Sequence, residues 1–284
     1  MRFNYLEPAT VEEAISMLNQ HGGKAKILAG GTDLFVQMRA KAIKPEYIVD
    51  ITYIPGLDYI EYDQKQGLRI GALTTFREIE RSIKLCQTYP VLTQAASKLG
   101  SVAIRNVATI GGNLCNAAPS AEAAPALIGL SATVKIIGSG GERVVPLERF
   151  CTGPGCTVCV SPEMITEYQV PIPPPGTRGV YLKHSRTAID LALVGIGVVA
   201  NIDSGGACKD IKIVMGAVAP TPLRAYKAEE MLKGNKLEHE LVEEAAKVAS
   251  EEARPISDVR ASAEYRKEIV KVLTRRAINQ IAAG

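Results

Sequence analysis

Lys26-Ile27-Leu28-Ala29-Gly30-Gly31-Thr32-Asp33-Leu34 is a short apolar run, a double glycine and the start of a helical pattern. A strand that turns through two glycines into a helix leaves backbone N–H groups facing outward. The positive end of the helix dipole lies beside them, so the junction suits an anion, a phosphate above all. Thr32 or Asp33 is placed to cap the helix that continues through Phe35, Val36 and Met38. Glycine is needed where the chain turns sharply or where a ligand approaches the backbone closely. The same residues also describe a plain strand–turn–helix in which the glycines serve only the turn. The spacing is not G-x-G-x-x-G, so the classical dinucleotide fingerprint does not apply.

Working outward, Thr10-Val11-Glu12-Glu13 has capping-box spacing, and Val11, Ala14, Ile15 and Leu18 form a helical stripe ended by Gly22-Gly23. Tyr47 to Ile51 is the next strand. Strand, helix and strand around a glycine turn imply a small α/β unit with a parallel pair. After Pro55-Gly56, residues 59–62 and 68–72 read as strands, 75–83 and 91–99 as helices, and 101–110 as an apolar run into a second double glycine, Gly111-Gly112. Residues 132–138 and 143–146 form a hairpin, and Ile165 begins another strand. Four prolines between Pro171 and Gly176 make a stiff linker. Antiparallel strands follow at 181–183, 191–203 and 211–217, then helices over 225–253 and 261–282 separated by Pro255. Gly195-Ile196-Gly197 lies inside a strand and reads as packing.

The chain has 284 residues, 46% hydrophobic and 22% charged, which describes a folded globular protein of two or three units. The net charge is +3, Trp is absent and no basic run is interleaved with aromatics, so nucleic-acid binding has no support. The apolar runs are too short for a transmembrane segment, and the N-terminus carries no apolar targeting core. Six cysteines in this length are too few for a disulfide scaffold, which makes a cytoplasmic location the default.

Two glycine turns in adjacent units could cradle both phosphates of one dinucleotide, or be unrelated turns. The ordered set Ile27 to Leu34, Thr109-Ile110-Gly111-Gly112-Asn113, Thr152-Gly153-Pro154-Gly155 and Tyr181-Leu182-Lys183-His184-Ser185-Arg186 resembles the FAD-binding medium subunit of the molybdenum hydroxylases. That family includes xanthine dehydrogenase and the aerobic type of carbon monoxide dehydrogenase. The resemblance covers essentially the whole chain. It implies an α+β fold: FAD-binding subdomains at 1–55 and 56–173, of the vanillyl-alcohol-oxidase type, and a C-terminal domain at 174–284 with a three-stranded antiparallel sheet and helices. It implies a flavoprotein oxidoreductase with non-covalent FAD. The partners would be a molybdenum-cofactor large subunit and a [2Fe–2S] small subunit, in a dimer of heterotrimers. Electrons would pass from those centres through FAD to an external acceptor. The other readings are a stand-alone flavin oxidase of the same superfamily and a non-catalytic nucleotide-binding assembly protein.

By the same resemblance, Ile27, Leu28, Ala29, Gly30, Gly31, Thr32, Asp33 and Leu34 wrap the pyrophosphate. Ala108, Thr109, Gly111, Gly112 and Asn113 grip it from the second unit. Glu122 stands where the family usually has Asp, Ile165 beside the adenine, and Lys183 and His184 next to the isoalloxazine. Cys151, Cys156 and Cys159 have the C-x4-C-x2-C spacing of a plant-type [2Fe–2S] loop. They fall in the family's Gly-Pro-Gly loop, where relatives generally lack cysteines. An additional Fe–S cluster, with Cys86, Cys115 or Cys208 as fourth ligand, and free thiols are the two readings of this departure.

Overall fold

Thr10 accepts a hydrogen bond from the Glu13 amide at 3.1 Å in the computed structural model, which describes residues 2–283. Glu13 reaches the amide of Ala9 rather than that of Thr10, so the expected box closes one residue early. This cap starts the first unit, built from β1 (Asn4–Leu6), α1 (Val11–His21), β2 (Ala25–Leu28), α2 (Leu34–Arg39) and β3 (Tyr47–Asp50). The strands are parallel in the order β1-β3-β2. β1 is an edge strand that the sequence reading missed as a lead-in to α1. Ala14, Ile15 and Leu18 of α1 pack in a core with Val49, and that core continues into Leu57, Leu73 and Met164 of the second unit.

The second unit runs through β4 (Ile60–Asp63), β5 (Gly67–Gly71), α3 (Phe76–Arg81), α4 (Ile83–Thr88), α5 (Pro90–Ser97), α6 (Val102–Arg105), α7 (Ile110–Cys115) and α8 (Ala123–Gly129). It closes with β6 (Thr133–Gly138), β7 (Gly141–Pro146), β8 (Cys151–Gly153), β9 (Cys156–Thr157) and β10 (Met164–Val170). Its main sheet is antiparallel, in the order β4-β5-β10-β6-β7. Tyr89, Phe150 and Tyr168 are its largest buried side chains. One local expectation changes here. The helix read over 75–83 breaks at Ser82, whose hydroxyl caps α4 by accepting from the Leu85 amide at 3.3 Å. The apolar run 101–110 forms the short helix α6 and leads into α7. Ser101 and Thr109 cap them, accepting from the amides of Ile104 at 3.3 Å and Gly112 at 3.0 Å. Arg105 fastens α6 by donating to Glu80 and to the carbonyls of Leu99 and Gly100.

The third unit holds β11 (Thr177–His184), β12 (Val194–Ile202), β13 (Cys208–Gly216), β14 (Leu223–Arg224), α9 (Tyr226–Leu232), α10 (His239–Glu252) and α11 (Ala263–Ala282). The antiparallel sheet has the three expected strands plus the two-residue edge strand β14. One side of this sheet packs with α9, α10 and α11. Tyr181, Val199 and Val214 instead enter the core of the second unit, against residues of α5 and α8. A Cβ on Gly197 would lie 2.8 Å from the Pro125 carbonyl oxygen, which is why glycine stands there. The proline linker is tied down, because Asn201 donates to the Pro175 carbonyl at 2.7 Å.

Arg266, 2% exposed, donates to the Leu193 carbonyl at 2.7 Å and to Asp258 at 2.9 Å. Hydrogen bonds from Arg260, side chain and backbone, hold the Asp258 carboxyl well below the ordinary carboxylate range, with Arg266 adding to them. A carboxylate depressed in the folded state binds its proton more readily when unfolded. Its stabilisation is therefore complete above the unfolded pKa, near about 3.9, and is lost as pH falls through the folded value. Glu80 and Glu163, lowered by their arginine partners, act in the same direction. The thermal unfolding midpoint is expected to fall steeply below about pH 4. Asp258→Asn should be less stable at pH 7 and show a shallower acid limb, measured by circular dichroism melts.

Candidate cofactor-binding site

The amides of Gly30, Gly31, Thr32, Asp33 and Leu34 donate to no protein acceptor among the described residues, and none of the five residues is buried. Gly31 provides the turn with φ of 71°, a value that favours glycine. Neither Thr32 nor Asp33 caps α2 with its side chain, contrary to the capping expectation. Asp33 is itself the N-cap residue, with helical φ and ψ of −96° and −43°, and its carboxylate does not turn back to the amides. The result is a row of five open donors at the mouth of α2. Gly30 has a second reason to be glycine: a Cβ there would overlap the carbonyl oxygen of Val107 in the loop between α6 and α7. The first glycine turn therefore lies directly against the approach to the second.

The second glycine pair is arranged differently. The Ile110 amide donates to the Thr74 carbonyl at 3.0 Å, Gly111 to the Ala72 carbonyl at 2.9 Å and Gly112 to the Thr109 hydroxyl oxygen at 3.0 Å. Both backbone groups of Ala108 are likewise taken, by Ile104 and Phe76. The amides of Gly111 and Gly112 are therefore already paired within the chain. Gly111 is a packing glycine, since a Cβ would lie 2.6 Å from the Ala72 carbonyl oxygen. At Gly112 a Cβ would meet only Thr109 Oγ1, at 3.0 Å, so bare backbone faces open space there. Asn113 supplies the free polar group: its Oδ1 is buried with no partner. A buried carboxamide oxygen without a hydrogen bond costs about 1–3 kcal/mol, so this orphan marks a place for a ligand.

The recess between the turns is acidic at its base. Asp33 is exposed, yet burial raises its pKa, which fits a carboxylate open to solvent inside a concave wall. Glu122 is 4% exposed, and burial pushes its carboxyl upward with help from the Asp33 charge, against the pull of Lys183. Lys183 does not present a free cation to the recess. Its side chain is 2% exposed, and Nζ donates to Glu122 at 2.9 Å and to the Lys98 carbonyl at the end of α5 at 2.8 Å. An ammonium at a helix C-terminus is favourable, and here it also joins β11 to the second unit. Ile165 is buried in the central strand β10, paired with Ile136 beside a bulge. His184 is bonded to Tyr265 at 3.0 Å at the opening of α11.

The cysteines of the C-x4-C-x2-C run do not converge. Cys156 is exposed at the hairpin tip, and Cys151 and Cys159 are half-buried. Among the described residues, no group of three or more His, Cys, Asp or Glu side chains is arranged to hold a metal ion. Cys151 and Cys156 lie on the β8–β9 hairpin, and Cys159 follows it. Cys115, on α7, is open to solvent yet its thiol is pushed upward by burial and by Cys159 and Cys151, the signature of a recessed neutral thiol.

Residues 1–173 match the model of the FAD binding domain in molybdopterin dehydrogenase, and residues 180–281 match that of the CO dehydrogenase flavoprotein C-terminal domain. The chain is 33% identical over 280 residues to the glyceraldehyde dehydrogenase medium chain of Sulfolobus acidocaldarius, covering 99% of this chain and 98% of the relative. It is 32% identical to the xanthine dehydrogenase FAD-binding subunit of Escherichia coli O157:H7, covering 99% and 96%. The structure superimposes on a carbon monoxide dehydrogenase chain from Hydrogenophaga pseudoflava with a TM-score of 0.95 at 34% identity, covering 98% of this chain and 96% of that one. No helix among the described residues is long and apolar enough to cross a membrane.

Removing one member of a buried ion pair leaves the other uncompensated. Lys183→Met is expected to cost about 3–5 kcal/mol at pH 7, measured by urea unfolding. The deficit should shrink as pH falls and Glu122, its pKa already raised, takes up a proton. Glu122→Leu combined with Lys183→Met should recover most of the loss.

Proposed function

Since the chain belongs to the family of FAD-binding subunits of the molybdopterin dehydrogenases, we propose that its recess holds FAD with the pyrophosphate against the open amides of Gly30 to Leu34. The chain is a flavoprotein subunit of an oxidoreductase. The observation that carries the assignment is the run of five unpartnered donors, in a turn whose Gly30 packs on the loop leading to Asn113 and its orphaned carboxamide oxygen. Backbone N–H groups held in one turn stabilise a diphosphate without reorganising. The Thr109 hydroxyl keeps its proton free while its oxygen caps Gly112. The bare backbone at Gly112 lets a ligand come close. Glu122, fixed by Lys183, shapes the recess as a neutral pair, and the backbone at Ile165 and the His184 segment lie further along the same crevice.

FAD, when bound, accepts electrons in pairs and returns them to an acceptor; the chain's own residues supply position, a dry wall and a field. The complex would contain a molybdenum-cofactor large subunit and a [2Fe–2S] small subunit, as a dimer of cytoplasmic heterotrimers. Electrons would reach this subunit from those centres and leave to an external acceptor. Support comes from relatives named as medium chain and FAD-binding subunit, which match this chain from end to end. In this reading residues 1–55 and 56–173 are the two walls of the FAD site, and 174–284 close it from the third side.

The purified chain is expected to be yellow with stoichiometric FAD, and its flavin to be bleached by reducing substrate only when the large and small subunits are present. Gly30→Ala should lose FAD because its methyl group must part the two glycine turns, while circular dichroism still reports a folded chain. A colourless wild-type chain that takes up no added FAD would sink the assignment.

A further inference from the structure

Only one hydrogen bond joins residues 1–55 to residues 56–173 among the described residues: Gln37 Nε2 donates to Asn116 Oδ1 at 2.8 Å. The two segments share no strand pairing, and the one ion pair of residues 1–55, Lys24–Glu46, stays inside its own unit. What else holds them is apolar packing around Leu57, Leu73 and Met164, and the contact of Gly30 with Val107. Apolar packing is non-directional and lets two bodies rock. The Gly30 contact sets how closely they approach, but nothing in it resists opening.

The position of the bond matters. Gln37 stands four residues after Asp33 on α2, and its amide donates to the Asp33 carbonyl at 2.9 Å. Asn116 stands three residues after Asn113, and its amide donates to the Gly112 carbonyl at 2.9 Å. Residues three and four apart on a helix share a face. The bond therefore lies one turn behind the open amides on one wall and one turn behind the orphaned carboxamide on the other. Both side chains are half-buried, so water competes only partly for their polar groups.

The geometry points to Gln37 and Asn116 as a latch that holds the two walls of the cleft at the separation bound FAD requires. This rests on the FAD reading of the cleft. Gln37 and Asn116 act as positioning residues through the bond between them, and their effect falls on how long the cofactor stays. The directional bond resists opening, the Gly30–Val107 contact resists over-closure, and the two together define one width.

The test uses the full chain, with FAD release followed by the recovery of flavin fluorescence on dilution. A bond of this kind is worth enough for Gln37→Ala to release FAD about five- to tenfold faster. The unfolding midpoint of the flavin-free protein should be unchanged. Asn116→Ala should match it, and the double variant should be no worse than either single one, since the two changes remove the same bond. The reciprocal exchange, Q37N with N116Q, should bring the rate back toward wild type. Release from Gln37→Ala as slow as from wild type, or losses that add in the double variant, would overturn the latch. A lowered flavin-free midpoint with unchanged release would make the bond merely structural and also overturn it. A wild-type chain that binds no FAD refutes the reading of the site itself, an outcome distinct from those.

Discussion

Where Gly30 meets the carbonyl of Val107, two stretches of backbone touch with no room for a side chain between them. The rest of the site depends on that contact. It holds the first glycine turn against the loop that leads to Gly111-Gly112, although the two stretches lie far apart in the chain. One methyl group at Gly30 would act as a wedge at the hinge.

The charges around the two turns are unusual for the diphosphate site proposed there. Its ionisable groups are acidic, Asp33 and Glu122, and the nearest cation, Lys183, is consumed by Glu122. Attraction must come from backbone dipoles and from the helix of the first turn rather than from an ammonium or guanidinium group. Dipoles fixed in a turn act over short range and in a partly dry wall, so salt screens them less than it would a surface lysine. The resemblance places Lys183 beside the flavin as a free positive charge; the structure makes it the fastener between β11, Glu122 and the end of α5.

Local chemistry was the most readable part of the sequence. The Thr10 cap, the stripe on α1, the β6–β7 hairpin and the packing role of Gly197 all follow from residue type and spacing, because each involves neighbours in the chain or a single sheet. The run 101–110 reads as one apolar stretch in the sequence, but its residues include two capping groups, Ser101 and Thr109, whose hydroxyls start two short helices. The second glycine pair looked like the first in sequence. Only tertiary structure reveals that Ala72 and Thr109 already occupy its amides. Gln37 and Asn116 carried no signal at all, since a hydrogen bond between half-buried amides across 79 positions leaves no trace in either local pattern. The cysteine spacing matches a ferredoxin loop, yet among the described residues no three such side chains are arranged to hold a metal ion.

Tyr181, Val199 and Val214 lie beyond the proline linker, yet they belong to the core built around Tyr168 and Phe150. The linker therefore marks a seam in ancestry more than a seam in folding. A protease that cuts between Pro171 and Gly176 would leave two fragments still bound through a shared interior. Neither could close its own hydrophobic surface alone. Hydrogen exchange should accordingly show β10 and β12 opening together, as one cooperative unit that spans the boundary between the two sequence families.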